Sequence, residues 1–138
     1  MTSDFEHLAE ETLLAMLGWG EARGEGALGM LAVMWVAKNR SDKRMKALKD
    51  VILQPFQFSC FNPLDPNHSQ LFEAEKEPDT WGFAKGAANL VLRGYTIDPT
   101  RNATHYYSLS IPPPIWARPE KGWVELTKIG HHVFGVAR

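Results

Sequence analysis

Residues 19–25 read Trp-Gly-Glu-Ala-Arg-Gly-Glu and stand directly ahead of the apolar run ALGMLAVMWVA, residues 27–37. Within this stretch Glu21 is the side chain best placed for chemistry. It falls at the end of a helical segment, beside glycines that let a polymer approach the backbone. A carboxyl set against apolar or aromatic walls such as Trp19 keeps its proton near neutrality, because desolvation disfavours the charged form. Such a group can protonate a leaving oxygen, an effect worth roughly 10²–10⁴ in rate. The competing reading is a solvated helix-end carboxylate.

Other side chains carry paired readings. Glu25 is either a second carboxylate for hydrolysis, or a cap for the following helix or a substrate contact; the latter pair is preferred. Arg23 is expected to pair with a carboxylate or a backbone carbonyl. Asn39, with Arg40, ends the apolar helix, or Asn39 reaches a cleft to bind an acetamido group; the two stand even. Phe58 and Ser59 are core, or a stacking face and a hydroxyl for a sugar ring. Tyr106 and Tyr107 alternate faces on a strand, so at most one looks into a cleft, and Tyr106 is favoured. His105 is kept beside it as a binding candidate, although hydrogen bonding within the fold is the simpler role for His105 and His132. A metal site is disfavoured: there is no HExxH helix or Cys/His cluster, and adjacent His131 and His132 on a strand would point to opposite sides. Asp65 reads as a turn residue. No metal or cofactor is called for.

These groups need a frame, and the sequence predicts one that is mainly α (α+β). Ser3 with Glu6 fits a capping box and predicts a first helix from Asp4 to about Glu21. Gly24 and Gly26 break it, and residues 27–37 form a second helix, expected as the buried centre and ended by Asn39–Asp42. A short amphipathic piece from about Arg44 leads to Leu53. The Pro- and Phe-rich residues 55–67 then read as a fixed loop over the core. Asp79 or Thr80 can cap a helix carrying Trp81, Ala84, Ala88 and Val91 on one face, stopped at Arg93-Gly94. Beyond Asp98-Pro99 the texture turns β-like. Residues 104–110 predict a short edge strand, with 123–126 and 132–134 as candidates to pair with it in a small C-terminal ribbon.

Composition bounds the rest. A chain of 138 residues, 44% apolar and 22% charged, suits a single domain over residues 1–138, and five Trp, seven Phe and three Tyr supply a core without disulfides. The single cysteine, Cys60, reads as a buried thiol. A net charge of −1 offers no field to gather nucleic acid or an anionic membrane. The acidic N-terminus lacks the basic and apolar regions of a signal peptide, and no stretch is long enough to insert in a bilayer. The expectation is a monomer that stays in the cytoplasm until something releases it.

The runs Gly20-Glu21-Ala22-Arg23-Gly24-Glu25, Gly29-Met30-Leu31-Ala32-Val33, Asn39-Arg40 and Phe58-Ser59-Cys60 resemble the spore cortex-lytic and cell-wall hydrolase family, which includes phage endolysins. Ala103-Thr104-His105-Tyr106-Tyr107, Pro114-x-Trp116 and Ile129-Gly130-x-His132-x-Phe134 extend the likeness in order, over roughly residues 12 to 136. The resemblance implies a lysozyme-like helical domain that cuts peptidoglycan between N-acetylmuramic acid and N-acetylglucosamine, with Glu21 as the essential acid. It leaves open a muramidase or a lytic transglycosylase, in which the muramic acid 6-hydroxyl attacks. The absence of a leader and of a separate peptidoglycan-binding domain is similar to a phage endolysin held in the host cytoplasm until a holin gives access to periplasmic peptidoglycan. The alternatives are a non-catalytic glycan-binding module and a metal-dependent amidase or peptidase.

Overall fold

The structure is a computed structural model that describes residues 5, 8–54, 58–62 and 68–137. The predicted Ser3–Glu6 capping box and the Asp65 turn lie outside these residues, as does most of the 55–67 loop. Four helices, α1 (Glu10–Ala22), α2 (Gly26–Arg44), α3 (Leu48–Leu53) and α4 (Pro78–Arg93), precede three strands, β1 (His105–Ser108), β2 (Val124–Ile129) and β3 (His132–Val136). Short 3₁₀ segments cover Arg23–Glu25, Ser59–Phe61, Ser69–Lys76 and Pro119–Lys121.

The buried centre is α1 rather than α2. Every residue from Leu13 to Gly20 is buried, whereas Ala27 and Leu28 of α2 are exposed and Leu31 and Trp35 half-buried. Leucines and small residues all round α1 let α2 and α4 pack on it from two sides. A Cβ at Gly18 would lie 2.5 Å from Met34 Cε and 3.2 Å from the Met30 carbonyl, so the α1–α2 approach depends on that glycine. The second helix also runs past its expected end at Asn39–Asp42, because Asn39 and Arg40 find tertiary partners in residues 98–104 while Asp42 pairs with Lys38 one turn back; it stops at Met45, in the left-handed region at φ 54°. The expected piece from Arg44 begins only at Leu48.

In α4 the start is set by Pro78 in the first turn rather than by a side-chain cap from Asp79 or Thr80. Its end is as expected: Gly94 takes φ 72°, and Tyr95 N–H donates to Leu90 O at 2.9 Å while Gly94 N–H donates to Val91 O at 3.1 Å. Trp81, Ala84, Ala88 and Val91 are all buried, as their helical spacing predicts.

The sheet has order β1-β3-β2 and is antiparallel. Thus β1 is an edge, as expected, but both other strands pair through β3. Tyr106 lies opposite Phe134 and Ser108 opposite His132. Tyr106, His132 and Phe134 share the face toward the helices, where Phe134 packs with Ala32, Val36 and Ala103. On the other face Tyr107 packs with Trp116 and Trp123, at ring separations of 6.2 and 5.9 Å. Among the described residues no helix is long and apolar enough to cross a membrane.

Candidate active site

Glu21 occupies the last turn of α1 and is partly exposed. Its Oε1 accepts a hydrogen bond from the Tyr106 hydroxyl, and its Oε2 accepts the backbone N–H of Cys60 at 3.0 Å. Three separate elements therefore meet on one carboxyl group, and donors on both of its oxygens hold its plane. Gly20 makes the second contact possible: a Cβ there would lie 2.6 Å from Leu71 Cδ2 and 3.0 Å from Cys60 Sγ. That glycine admits the neighbouring turn of the protein, not a polymer. Gly24 and Gly26 do border open space, and a methyl group on either would meet nothing within 4 Å. Trp19 does not wall Glu21, as two helical positions separate their directions. Its Nε1 donates to Thr80 Oγ1 at 3.2 Å, and the Arg23 guanidinium lies 4.3 Å from its ring centre. Arg23 bonds the Gln70 side-chain oxygen rather than the expected carboxylate or carbonyl.

Tyr106 stands at the centre of the site. Its ring is partly exposed, but its hydroxyl end is interior, and burial, then the charge and hydrogen bond of Glu21, push its ionisation well above the ordinary tyrosine range. It is a neutral donor at any physiological pH. Phe58 stacks near it at 6.5 Å and 24°, Phe134 lies at 5.7 Å, and His132 meets it edge-on at 5.2 Å and 86°. Phe58 is only 2% exposed and has the Arg40 guanidinium 4.9 Å above its ring. It belongs to the core and is not a sugar-stacking face. The Ser59 side chain lies outside the described residues.

Arg40, expected only as a helix end, is a buried strut. Its Nε and Nη2 donate to the Thr104 carbonyl at 2.9 and 2.7 Å, tying α2 to the residue before β1. Burial and the nearby Arg44 lower its ionisation to about 10, so it stays charged at neutral pH. Asn39 neither ends the helix nor offers its amide N–H groups to a ligand. Its Nδ2 donates to Asp98 Oδ2 at 2.8 Å and to Ala103 O at 3.0 Å. Asp98 in turn accepts the Thr100 N–H and hydroxyl, each at 2.7 Å, which fixes the loop leading to β1. An open cavity of about 380 Å³, lined by Asn39, Asp42, Lys43, Asn102 and Thr104, lies along this seam.

His105 is not brought to Glu21. It faces the opposite side of the sheet from Tyr106, where it packs on Trp116 at 5.3 Å and places Nδ1 3.0 Å from Thr104 Oγ1. Burial, then Arg40, Arg44 and Lys43, lower its ionisation to about 4, so it is neutral.

Glu25 makes no side-chain cap for α2. Instead it holds the turn between β2 and β3: Oε1 accepts the His131 N–H at 3.1 Å, and Oε2 lies 3.2 Å from His131 Nδ1. Gly130, at φ 58°, is required there, since a Cβ would fall 2.8 Å from Glu25 Oε2. Burial works to raise the ionisation of Glu25, but the His131 contacts and the charges of both histidines outweigh it and leave it lowered. His131 and His132 do not point apart as expected, because His131 lies in the turn and only His132 belongs to the strand. His132 Nδ1 is buried without a hydrogen bond, 3.4 Å from Glu25 Oε1. Among the described residues no group of three His, Cys, Asp or Glu is arranged to hold a metal ion.

The geometry thus offers one carboxyl that accepts from the Tyr106 hydroxyl and the Cys60 N–H and reaches solvent, with a second carboxylate engaged by the hairpin turn. That suits proton transfer to and from a bound substrate through a single group.

A family model described as cell wall hydrolase matches residues 24–135. Spore cortex-lytic enzymes from Bacillus cereus and Bacillus subtilis are 32% and 29% identical over 126 residues, 88% of this chain. Coverage that wide leaves too few residues at either end for the aligned stretch to miss Glu21. The chain spans only 42% and 36% of the length of those two relatives. Among solved structures, the catalytic domain of the germination-specific lytic transglycosylase SleB from Bacillus anthracis superposes with a TM-score of 0.66 at 27% identity, covering 91% of this chain and 93% of that one. The catalytic domain of the Bacillus cereus SleB protein gives 0.65 at 28% identity, covering 91% and 88%.

Proposed function

Because this chain belongs to the cell wall hydrolase family, we propose that it cleaves peptidoglycan glycan strands between N-acetylmuramic acid and N-acetylglucosamine, with Glu21 as the acid. The observation that carries this reading is the convergence of Tyr106 and Cys60 on the two oxygens of Glu21. Glu21 gives its proton to the glycosidic oxygen as the C1–O bond breaks and positive charge develops at the anomeric carbon. The resulting carboxylate then takes the proton of the muramic acid 6-hydroxyl as that oxygen attacks C1, leaving a 1,6-anhydro end. One carboxyl serves both steps. Transglycosylation is preferred over hydrolysis because Glu25, the other carboxylate of the motif, is occupied by His131, and because the Bacillus anthracis relative is named a lytic transglycosylase.

The biological setting we propose is that of a phage endolysin, acting as a monomer without cofactor on periplasmic peptidoglycan of its host after a holin gives access. Expression in a Gram-negative host with and without a holin tests this setting: lysis confined to the holin-bearing cells is expected, and lysis without holin overturns the dependence.

The test of the chemistry is mass spectrometry of soluble products released from purified sacculi. Wild type is expected to release anhydro-muropeptides, and Glu21→Gln to lose at least about 10²-fold in rate while remaining folded. Reducing ends would assign hydrolysis instead. Binding without sugar products would assign a glycan-binding module, and chelator-sensitive release of stem peptides a metal-dependent amidase.

A further inference from the structure

Two features of the site remain unused by this chemistry: His132, whose buried Nδ1 lacks a hydrogen bond, and Glu25, whose Oε1 lies 3.4 Å from that nitrogen. The imidazole stands edge-on to the Tyr106 ring, and the Tyr106 hydroxyl holds Glu21. A packed chain of groups therefore runs from Glu25 through His132 and Tyr106 to Glu21, joining the two carboxylates of the 20–25 motif. We propose that His132 is a positioning residue for Glu21 and that its protonation, which the adjacent Glu25 carboxylate favours, sets the acid limit of activity.

The proposal rests on the glycan-cleaving reading above. With one ring proton, His132 places it best on Nδ1, toward the Glu25 carboxylate, and the ring is neutral. A second proton puts a cation in the site. That cation opposes the positive charge developing on the sugar in the transition state, and it weakens the Glu21 carboxylate as the base that must take the 6-hydroxyl proton. Activity therefore falls as pH drops through the titration of His132. The groups that face it are Glu25 from the 3₁₀ turn, Glu21 from α1, His131 from the hairpin turn and Tyr106 from β1. Burial favours the neutral ring, the Glu25 and Glu21 charges favour the cation, His131 opposes it, and the balance lies below the ordinary histidine range.

Two measurements test the proposal. The first follows product release against pH for wild type, His132→Asn and Glu25→Gln. The second follows the His132 ring signal by NMR over the same range in wild type, Glu25→Gln and Glu21→Gln. The acid limb of wild type is expected to share its midpoint with the NMR titration. Glu25→Gln, which keeps an acceptor for the His131 N–H, removes the charge that favours the imidazolium, so both midpoints move to lower pH. Glu21→Gln moves the NMR midpoint in the same direction, and His132→Asn loses the limb. An acid limb unmoved in His132→Asn or Glu25→Gln overturns the proposal, as does an NMR midpoint indifferent to Glu25→Gln. A purely structural role would lower the rate at every pH without moving the limb, and this also refutes it. Absence of sugar products from wild type would instead defeat the glycan-cleaving reading, and the NMR arm separates the two because it needs no turnover. Should His132→Asn fail to fold, Glu25→Gln alone decides.

Discussion

Replacing Tyr106 by Phe removes one atom from the site and leaves its packing. The ring retains its neighbours Phe58, Phe134 and His132, so no cavity of consequence forms. What is lost is the hydroxyl that donates to Glu21 Oε1. Once Glu21 has given up its proton in the proposed cycle, a hydrogen bond to its carboxylate contributes about 1.5–3 kcal/mol. In the resting protein less than this is lost, because Glu21 is partly exposed and its freed oxygen can turn toward solvent. The expected loss of stability is therefore about 1 kcal/mol, a few degrees in Tm. In the proposed cycle Glu21 alternates between acid and base in one orientation. If the whole contact matters there, the rate falls by roughly 10- to 150-fold, with the affinity for sacculi little changed. The assay is initial release of soluble muropeptides from purified sacculi at saturating substrate, alongside a thermal melt of the same preparation. A folded Tyr106→Phe variant that releases products at the wild-type rate would refute the claim that this hydroxyl orients the acid.

Arg40→Met keeps much of the side-chain volume over Phe58 but removes both donors to the buried Thr104 carbonyl. It should cost about 1–3 kcal/mol in urea unfolding, and a change within about 0.5 kcal/mol would contradict the strut role. Gly135→Ala should destabilise by about 1–3 kcal/mol or more, since its Cβ would lie 2.3 Å from the Val124 carbonyl and 2.5 Å from Trp123 Cη2; an unchanged Tm would show that the ribbon yields freely. His105 titrates near 6.5 when unfolded and about 4 when folded, so the unfolded chain takes up its proton first as pH falls. Stability from this group is complete above about 6.5 and is lost as pH drops toward 4. The slope of Tm against pH in that window should flatten in His105→Gln, and an identical slope would show that another group controls it.

The helices are legible in the sequence where burial and periodicity coincide, as in α4, whose apolar spacing and Gly94 stop are local signals. The true length of α2 is not, because Asn39 and Arg40 are polar and look like a terminus until the loop at 98–104 arrives to bond them. Glu21 is visible through its motif, and Tyr106 through strand alternation. Their direct contact joins residues 85 positions apart, and no local pattern encodes it. The role of Gly20 escapes sequence reasoning for the same reason: a glycine announces close approach but not by what. Phe58 and His105 look like ligand-binding residues by type alone, and type cannot tell a ring stacked on a sugar from one packed in a core. The pairing of Glu25 with the β2–β3 turn has no signal short of the fold itself.

The middle strand of the sheet, β3, is formed by residues 132–136, whereas both of its neighbours come earlier in the chain. During synthesis β1 and β2 must wait, with their edges unsatisfied, until that strand is made. Tyr106 lies opposite Phe134, so the hydroxyl that orients Glu21 has no settled backbone until then. A nascent chain can build its helices early, but it cannot assemble a working site from them. Manufacture and the proposed activity are thereby separated in time, and an incomplete copy of this domain lacking residues 132–136 leaves Tyr106 without the strand that sets its place beside Glu21.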